Sequence, residues 1–195
     1  AGAERHLITM LPELDSQSFD ICVIVLTEPK KPVDQLFITL QQAGVKTERM
    51  IINRHADPYL VIRLARRLRD LAPSVVHTHL LHADLYGTVA ARIAGVPAII
   101  SSRHNDDPFR ARWPLSFLLR IINRYTNRFI AISERVRAFT IKTEKVPPSV
   151  VDTVYYGLPV DEHNRQVIDA RDEFGLPKGP LMVCAARLTE QKGHK

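Results

Sequence analysis

Four histidines carry the chemistry that this sequence offers most openly. His77, His79 and His82 follow a short apolar run, and His104 stands in the polar stretch Ser101-Ser102-Arg103-His104-Asn105-Asp106-Asp107. An imidazole can ligate a metal, move a proton or hydrogen-bond a ligand, and spacing discriminates among these roles. A His-x-His-x-Asp-His run after a strand holds the metal of one class of hydrolase. Here both outer spacings fit, but the acidic position is Leu81, which can neither ligate nor act as a base. No other clustered Cys or carboxylate completes a ligand set. Metal-dependent hydrolysis through His77, His79 and His82 is therefore kept only as an alternative, and no metal is expected. For His79 and His82 a polar contact with a ligand or a neighbouring loop is the preferred reading.

Two further places suit an anion. Arg187 leaves an apolar run and Lys192 follows five residues later, in Arg187-Leu188-Thr189-Glu190-Gln191-Lys192-Gly193. A forked guanidinium and a compact ammonium at that spacing can both face one diphosphate, although a charged surface loop has the same composition. Gly2 precedes the first helical stretch, where a glycine lets backbone amides approach a phosphate at the positive end of the helix. The full glycine fingerprint of a nicotinamide site, G-x-G-x-x-G, occurs nowhere.

These side chains need a frame that brings strand ends together. Val75 to His79 reads as a strand, and Ala83 to Ala94 as a helix through Leu85, Val89 and Ile93, closed by Gly95 and Pro97. Ala98 to Ile100 follows as a buried strand leaving through Ser101 to Asp107, a run too polar for a core. The alternation extends on both sides of this unit. Before it come a helix striped by Leu7, Ile8, Leu11 and Leu14, a strand from Phe19 to Leu26, a helix from Val33 to Ala43, an edge-like strand from Val45 to Ile52, and a helix capped by Asp57 and Pro58 that runs to Leu71. After it come a helix from Trp113 to Asn127, a strand from Phe129 to Ile132, a helix capped by Ser133, a strand from Val150 to Tyr155, a helix from Asn164 to Phe174 and a strand from Leu181 to Ala186. Such alternation predicts an α/β fold, a Rossmann-like parallel sheet with helices on both faces. In such sheets ligands collect at the carboxyl edge, which His79, His82 and His104 share. The turn Gly157–Val160 divides a first domain, 1–160, from the opening of a second, 161–195. No strand precedes Gly2 and a helix should follow Lys195. The sequence is thus expected to be cut at both ends, to lack the first strand of its sheet, and to be poorly stable and inactive by itself.

Of 195 residues, 45% are hydrophobic and 25% charged, an ordinary globular balance, and the net charge of +6 favours an anionic partner. Cys22 and Cys184, far apart in apolar runs, read as reduced core residues of a cytoplasmic protein. No apolar run is long enough to span a bilayer. The segment from Trp113 to Asn127 sets Phe117, Leu118, Ile121, Ile122 and Tyr125 on one side and Arg120, Arg124 and Arg128 on the other. A helix lying on an anionic membrane and a surface helix covering a sheet share that pattern. Arg63, Arg66, Arg67 and Arg69 read as a solvated face. A non-catalytic anionic-lipid-binding module is thus a second alternative, whereas nucleic acid is not expected, because no aromatic-studded basic strand or recognition helix is present.

Six segments occur in order: Gly2-Ala3-Glu4-Arg5; His77-Thr78-His79 with Ala83 to Pro97; Ser102-Arg103-His104-Asn105; Ile130-Ala131-Ile132-Ser133-Glu134; Tyr156-Gly157-Leu158-Pro159-Val160-Asp161; and Ala186 to Gly193. Together they resemble the nucleotide-sugar glycosyltransferases of the GT-B fold, in the group called family four, over nearly the whole chain. The resemblance implies an N-terminal acceptor-side domain followed by the beginning of the nucleotide-sugar-binding domain. It implies transfer of a sugar, with retention, from a nucleotide-diphosphate donor to a hydroxyl acceptor that is a glycan, a lipid-linked molecule or a small molecule. On the same grounds His104 contacts the donor sugar as the catalytic candidate, Gly2, Arg187 and Lys192 bind the donor, and His79, His82 and Asn105 line the cleft or meet the acceptor. No cofactor is implied beyond the nucleotide sugar as co-substrate, and the expected location is cytoplasmic, peripheral on the inner face of a membrane. Fixed cations suit this reaction because negative charge builds on the leaving diphosphate. Tyr156 stands where such enzymes often have Asn, which removes one polar contact, and their glutamate motif would lie past Lys195.

Overall fold

The computed structural model describes residues 2–14, 18–29, 34–53, 57–157, 171, 174–176, 178–182 and 186. The chain divides into two compact units, Ala1–Leu158 and Pro159–Lys195. In the first, strands and helices alternate: α1 Gly2–Met10, β1 Cys22–Thr27, α2 Asp34–Gln42, β2 Lys46–Ile51, α3 Pro58–Leu71, β3 Val75–His79, α4 over 80–94, β4 Ala98–Arg103, α5 Leu115–Ile122, β5 Arg128–Ala131, α6 Glu134–Glu144 and β6 Val151–Thr153. The helix boundaries follow local chemistry. The Asp57 carboxylate accepts from the Leu60 and Asn53 amides at 3.0 and 3.1 Å, capping α3 ahead of Pro58. Ser133 Oγ accepts from the Val136 amide at 3.3 Å and caps α6 in the same way.

All strand pairs among the described residues are parallel. The sequence predicted one sheet, whereas the described strands form two, β1–β2 and β3–β4–β5–β6. A shared helix layer joins them. Leu60, Leu64 and Leu68 of α3 pack in one core with Ile24, Leu26 and Met50 from the first sheet and Val76 and Ile99 from the second. Val23 and Val25, the alternate residues of β1, pack instead with Leu7, Ile8, Leu36 and Leu40 of α1 and α2. Helices thus cover both faces of that sheet, as the two-residue period of the strand requires.

Four expectations change. The polar run after β4 is not all loop: β4 extends to Arg103, and Ser101, Ser102, Arg103 and His104 are buried, because each finds polar partners. In α5 only Leu119 and Ile122 turn inward, while Phe117, Leu118 and Ile121 stay exposed. The arginines of α3 are not simply solvated. Arg67 forks onto Glu48, while Arg63 and Arg69 donate to the carbonyls of Ile51 and Ile93 at 2.8 and 2.9 Å. Cys22 is only half-buried, at the start of β1, and Cys184, with most of 164–174 and 181–186, lies outside the described residues.

Candidate active site

The site begins where β3 turns into α4. After His79 the chain passes through Leu80 at φ +70°, a left-handed conformation that costs a branched residue about 1–3 kcal/mol and occurs where a turn must be abrupt. Leu80–His82 then starts the helix, Ala83–Gly87 forms a single π-turn, and Thr88–Ala94 completes it in α form. Helix and strand approach closely there: a Cβ on Gly87 would come 3.1 Å from Thr78 Cγ2. The π-turn, a form enriched at functional sites, carries Asp84 into the interior against the ends of β3 and β4.

Asp84 enters a buried ring of charge. One carboxylate oxygen accepts from Thr78 Oγ1 at 2.9 Å and from the Ser101 hydroxyl, and the other accepts from Arg103 and Arg110 at 2.9 and 2.6 Å. Both guanidinium groups also reach Glu144 at the end of α6, at 2.8 and 3.0 Å, and Asn123 ties Arg103 to Glu144 at 3.1 and 3.0 Å. Two cations and two anions thus close on themselves, and the Arg103 guanidinium lies 5.0 Å from the ring centre of Phe129. Burial disfavours the Glu144 carboxylate, but Arg103 and Arg110 outweigh it and hold the pKa below the usual carboxylate range. This ring fixes the end of β4 immediately before His104.

His104 lies between two partners. Its Nε2 is 3.0 Å from His79 Nδ1, and its Nδ1 is hydrogen-bonded to the Tyr156 hydroxyl, whose ring stacks on His6 of α1 at 4.0 Å. His77, with its ring 4.2 Å from that of His79, meets Ser102 Oγ at 2.8 Å. Burial raises the Tyr156 pKa, so the phenol is protonated, and the hydroxyl has no other hydrogen-bond partner among the described residues. Assigning the phenol as donor to Nδ1 places the His104 proton on Nε2, directed toward His79. Tyr156 thus makes a polar contact of its own, to His104. Tyr156→Phe should cost about 1 kcal/mol of stability and leave the His104 ring with a mixture of tautomers. Imidazole 15N shifts check this, and an unchanged single tautomer would contradict the assignment.

Burial, followed by repulsion from neighbouring imidazoles, lowers His77 and His104 to about 4 and His79 further. Between pH 4 and the ordinary histidine value of about 6.5, the unfolded chain binds more protons than the folded one. Stability is thus full above that ordinary value and is lost as pH falls toward 4. Urea midpoints measured across this window should decline, and a flat profile would show that the imidazoles protonate without cost.

Beside this cluster an open pocket of about 230 Å³ is lined by Leu80, Leu81, His82, His104, Asn105 and Phe109 among others. It is smaller than the ~300–1,000 Å³ of complete small-molecule sites, and so suits a single ring or head group. His82 and Asn105 line it with His104, whereas His79 stands behind, bonded to His104. His82 has its ring 6.4 Å from that of Tyr86 and, among the described residues, makes no ring contact with His77 or His79. Among the described residues no three His, Cys, Asp or Glu side chains are arranged to hold a metal, and the hydrolase alternative is not favoured. Gly2 opens α1 and is exposed, while Arg187 and Lys192 lie outside the described residues. Sequence reasoning missed His6, Asp84, Arg110, Tyr156 as a partner, and Glu144. Only His6, one helical turn beyond Gly2, carried a local signal.

Parallel strands, helices and a pocket at the strand ends define a Rossmann-like α/β domain. The family model of glycosyltransferase family 4 matches residues 1–162, and the chain belongs to that family. Over 167 residues it is 25% identical to the Escherichia coli UDP-Gal:α-D-GlcNAc-diphosphoundecaprenol α-1,3-galactosyltransferase, covering 83% of this chain and 43% of that protein. In fold it is similar to HepE of Anabaena, solved with UDP and glucose, at 16% identity and a TM-score of 0.65, over 90% of this chain and 47% of that one. A glycosyltransferase from Rickettsia africae gives 14% identity and a TM-score of 0.63, over 91% and 47%. The chain spans less than half the length of each of these relatives.

Proposed function

We propose that this chain serves a glycosyltransferase that moves a sugar, with retention, from a nucleotide-diphosphate donor to a hydroxyl acceptor. The observation that carries the reading is His104: a neutral imidazole at the carboxyl edge, fixed by His79 and Tyr156 and opening onto a pocket of single-ring size. In this reading residues 1–160 form the acceptor side and 161–195 begin the nucleotide-sugar side. His104 hydrogen-bonds the donor sugar without adding charge, the amides at Gly2 meet its phosphates, and Arg187 and Lys192 neutralise the departing diphosphate, while His82 and Asn105 face the acceptor. Cations that act as charge develops lower the barrier more than they tighten substrate binding.

The names of the relatives suggest which substrates to try first. The E. coli enzyme uses UDP-Gal and a GlcNAc linked to diphosphoundecaprenol, and HepE was solved with UDP and glucose. A UDP-hexose donor and a lipid-linked acceptor are therefore proposed here, with a peripheral position on the cytoplasmic face of a membrane. No helix among the described residues is long and apolar enough to cross a membrane. The test, in a chain that carries the whole nucleotide-sugar side, is transfer of labelled hexose from UDP-galactose or UDP-glucose to GlcNAc-diphosphoundecaprenol, with the product's anomeric configuration read by NMR. Transfer with retention is expected; absence of both transfer and nucleotide-sugar binding by calorimetry would overturn the reading.

A further inference from the structure

We propose that Phe109, Trp113 and the outer side of α5 form a docking face for an anionic lipid bilayer. The inference deepens the transferase reading and rests on it only for where the acceptor comes from, since the face itself is defined by exposure and charge. From 108 to 133 the sequence has five arginines and no Asp or Glu. Arg110 is held in the buried ring, and Arg128 reaches the Ser149 carbonyl and Asp152. Arg112, Arg120 and Arg124 remain, all exposed and without an acidic partner among the described residues.

Between these arginines lies apolar surface that the fold leaves uncovered. Trp113 is 82% exposed, Phe117 60%, Tyr125 45%, Leu118 45% and Phe109 41%. At 3.6 residues per turn, Phe117 and Ile121 fall close to one line, with Arg120 on one side of it and Leu118 on the other, and the exposed Arg124 and Tyr125 follow in a 3₁₀ turn. Leu119 and Ile122 alone face the core. An exposed aromatic and aliphatic stripe bordered by guanidinium groups is the pattern of an interfacial helix, whose rings enter the headgroup boundary while its cations meet anionic headgroups. A second copy pairing through this face about a two-fold axis would set the same three arginines against each other, which opposes that occupant. Phe109 is exposed and also lines the pocket with His104, so in this arrangement a lipid-linked acceptor would reach His104 from the bilayer edge.

Trp113 is the sole tryptophan and reports directly on this face. With vesicles of phosphatidylcholine and phosphatidylglycerol its emission should shift to the blue and the protein should float. With phosphatidylcholine alone neither should occur, and added salt should reverse both. Arg120→Gln with Arg124→Gln should weaken partitioning ~30-fold, from about 1 kcal/mol for each cation. Phe117→Ser with Leu118→Ser should abolish the shift while circular dichroism remains unchanged. Unaltered emission with anionic vesicles would overturn the proposal, as would equal binding by the arginine variant. So would a concentration-dependent blue shift without lipid, which would give the face to a second copy. Hexose transfer to a detergent-solubilised acceptor is scored separately. In a chain that carries the whole nucleotide-sugar side, transfer without vesicle binding removes the docking face alone, and vesicle binding without transfer removes the transferase reading alone.

Discussion

Glu144→Gln is expected to destabilise the domain by about 3–5 kcal/mol, a large share of the stability of a domain this size. The substitution keeps shape and volume but removes one of two anions from a site where Arg103, Arg110, Asp84 and Glu144 are all nearly inaccessible to solvent. Two guanidinium groups would then share Asp84, and the uncompensated charge has no route to water. The effect should appear as a lower urea midpoint at unchanged slope, which marks lost stability rather than an altered unfolded state. Arg110→Met combined with Glu144→Met removes one charge of each sign and should recover most of the loss, because a desolvated pair contributes little net stability while a broken one costs much. A single-variant effect under about 1 kcal/mol would mean that water enters the ring.

His104→Ala is the second large effect, and it is on chemistry. If the imidazole contacts the donor sugar as proposed, kcat for hexose transfer should fall ~10²–10³-fold while KM for the acceptor changes little. His104 is also buried and bonded to His79 and Tyr156, so the variant should lose about 1–2 kcal/mol of stability. Near-normal turnover in a folded variant would remove His104 from the mechanism. A fall in kcat matched by complete unfolding would instead assign it a structural role.

The class of fold and the edge that carries the site were legible because they rest on local chemistry. Asp57 and Ser133 cap helices through their own side chains, Gly95 ends one at φ +80°, and apolar periods of two and 3.6 residues separate strand from helix. The exposure of α5 was half legible: its amphipathic pattern was plain, but which of its apolar residues face inward depends on the neighbours it meets. Arg103 looked like part of a polar exit because polarity in one segment says nothing about partners elsewhere. Its carboxylates lie 19 residues before it and 41 after it.

The sequence by itself determined the alternating parallel architecture, the family and the gathering of His79, His82 and His104 at one sheet edge, since each follows from periodicity and motif order along the chain. Only the tertiary structure decided that His82 parts from His77 and His79, that Tyr156 and His6 close around His104, and that Asp84, Arg103, Arg110 and Glu144 neutralise one another out of water. The physical reason is that periodicity acts between near neighbours in sequence, whereas hydrogen bonds and ion pairs exist only once distant segments are brought within about 3 Å, and no single segment records that meeting.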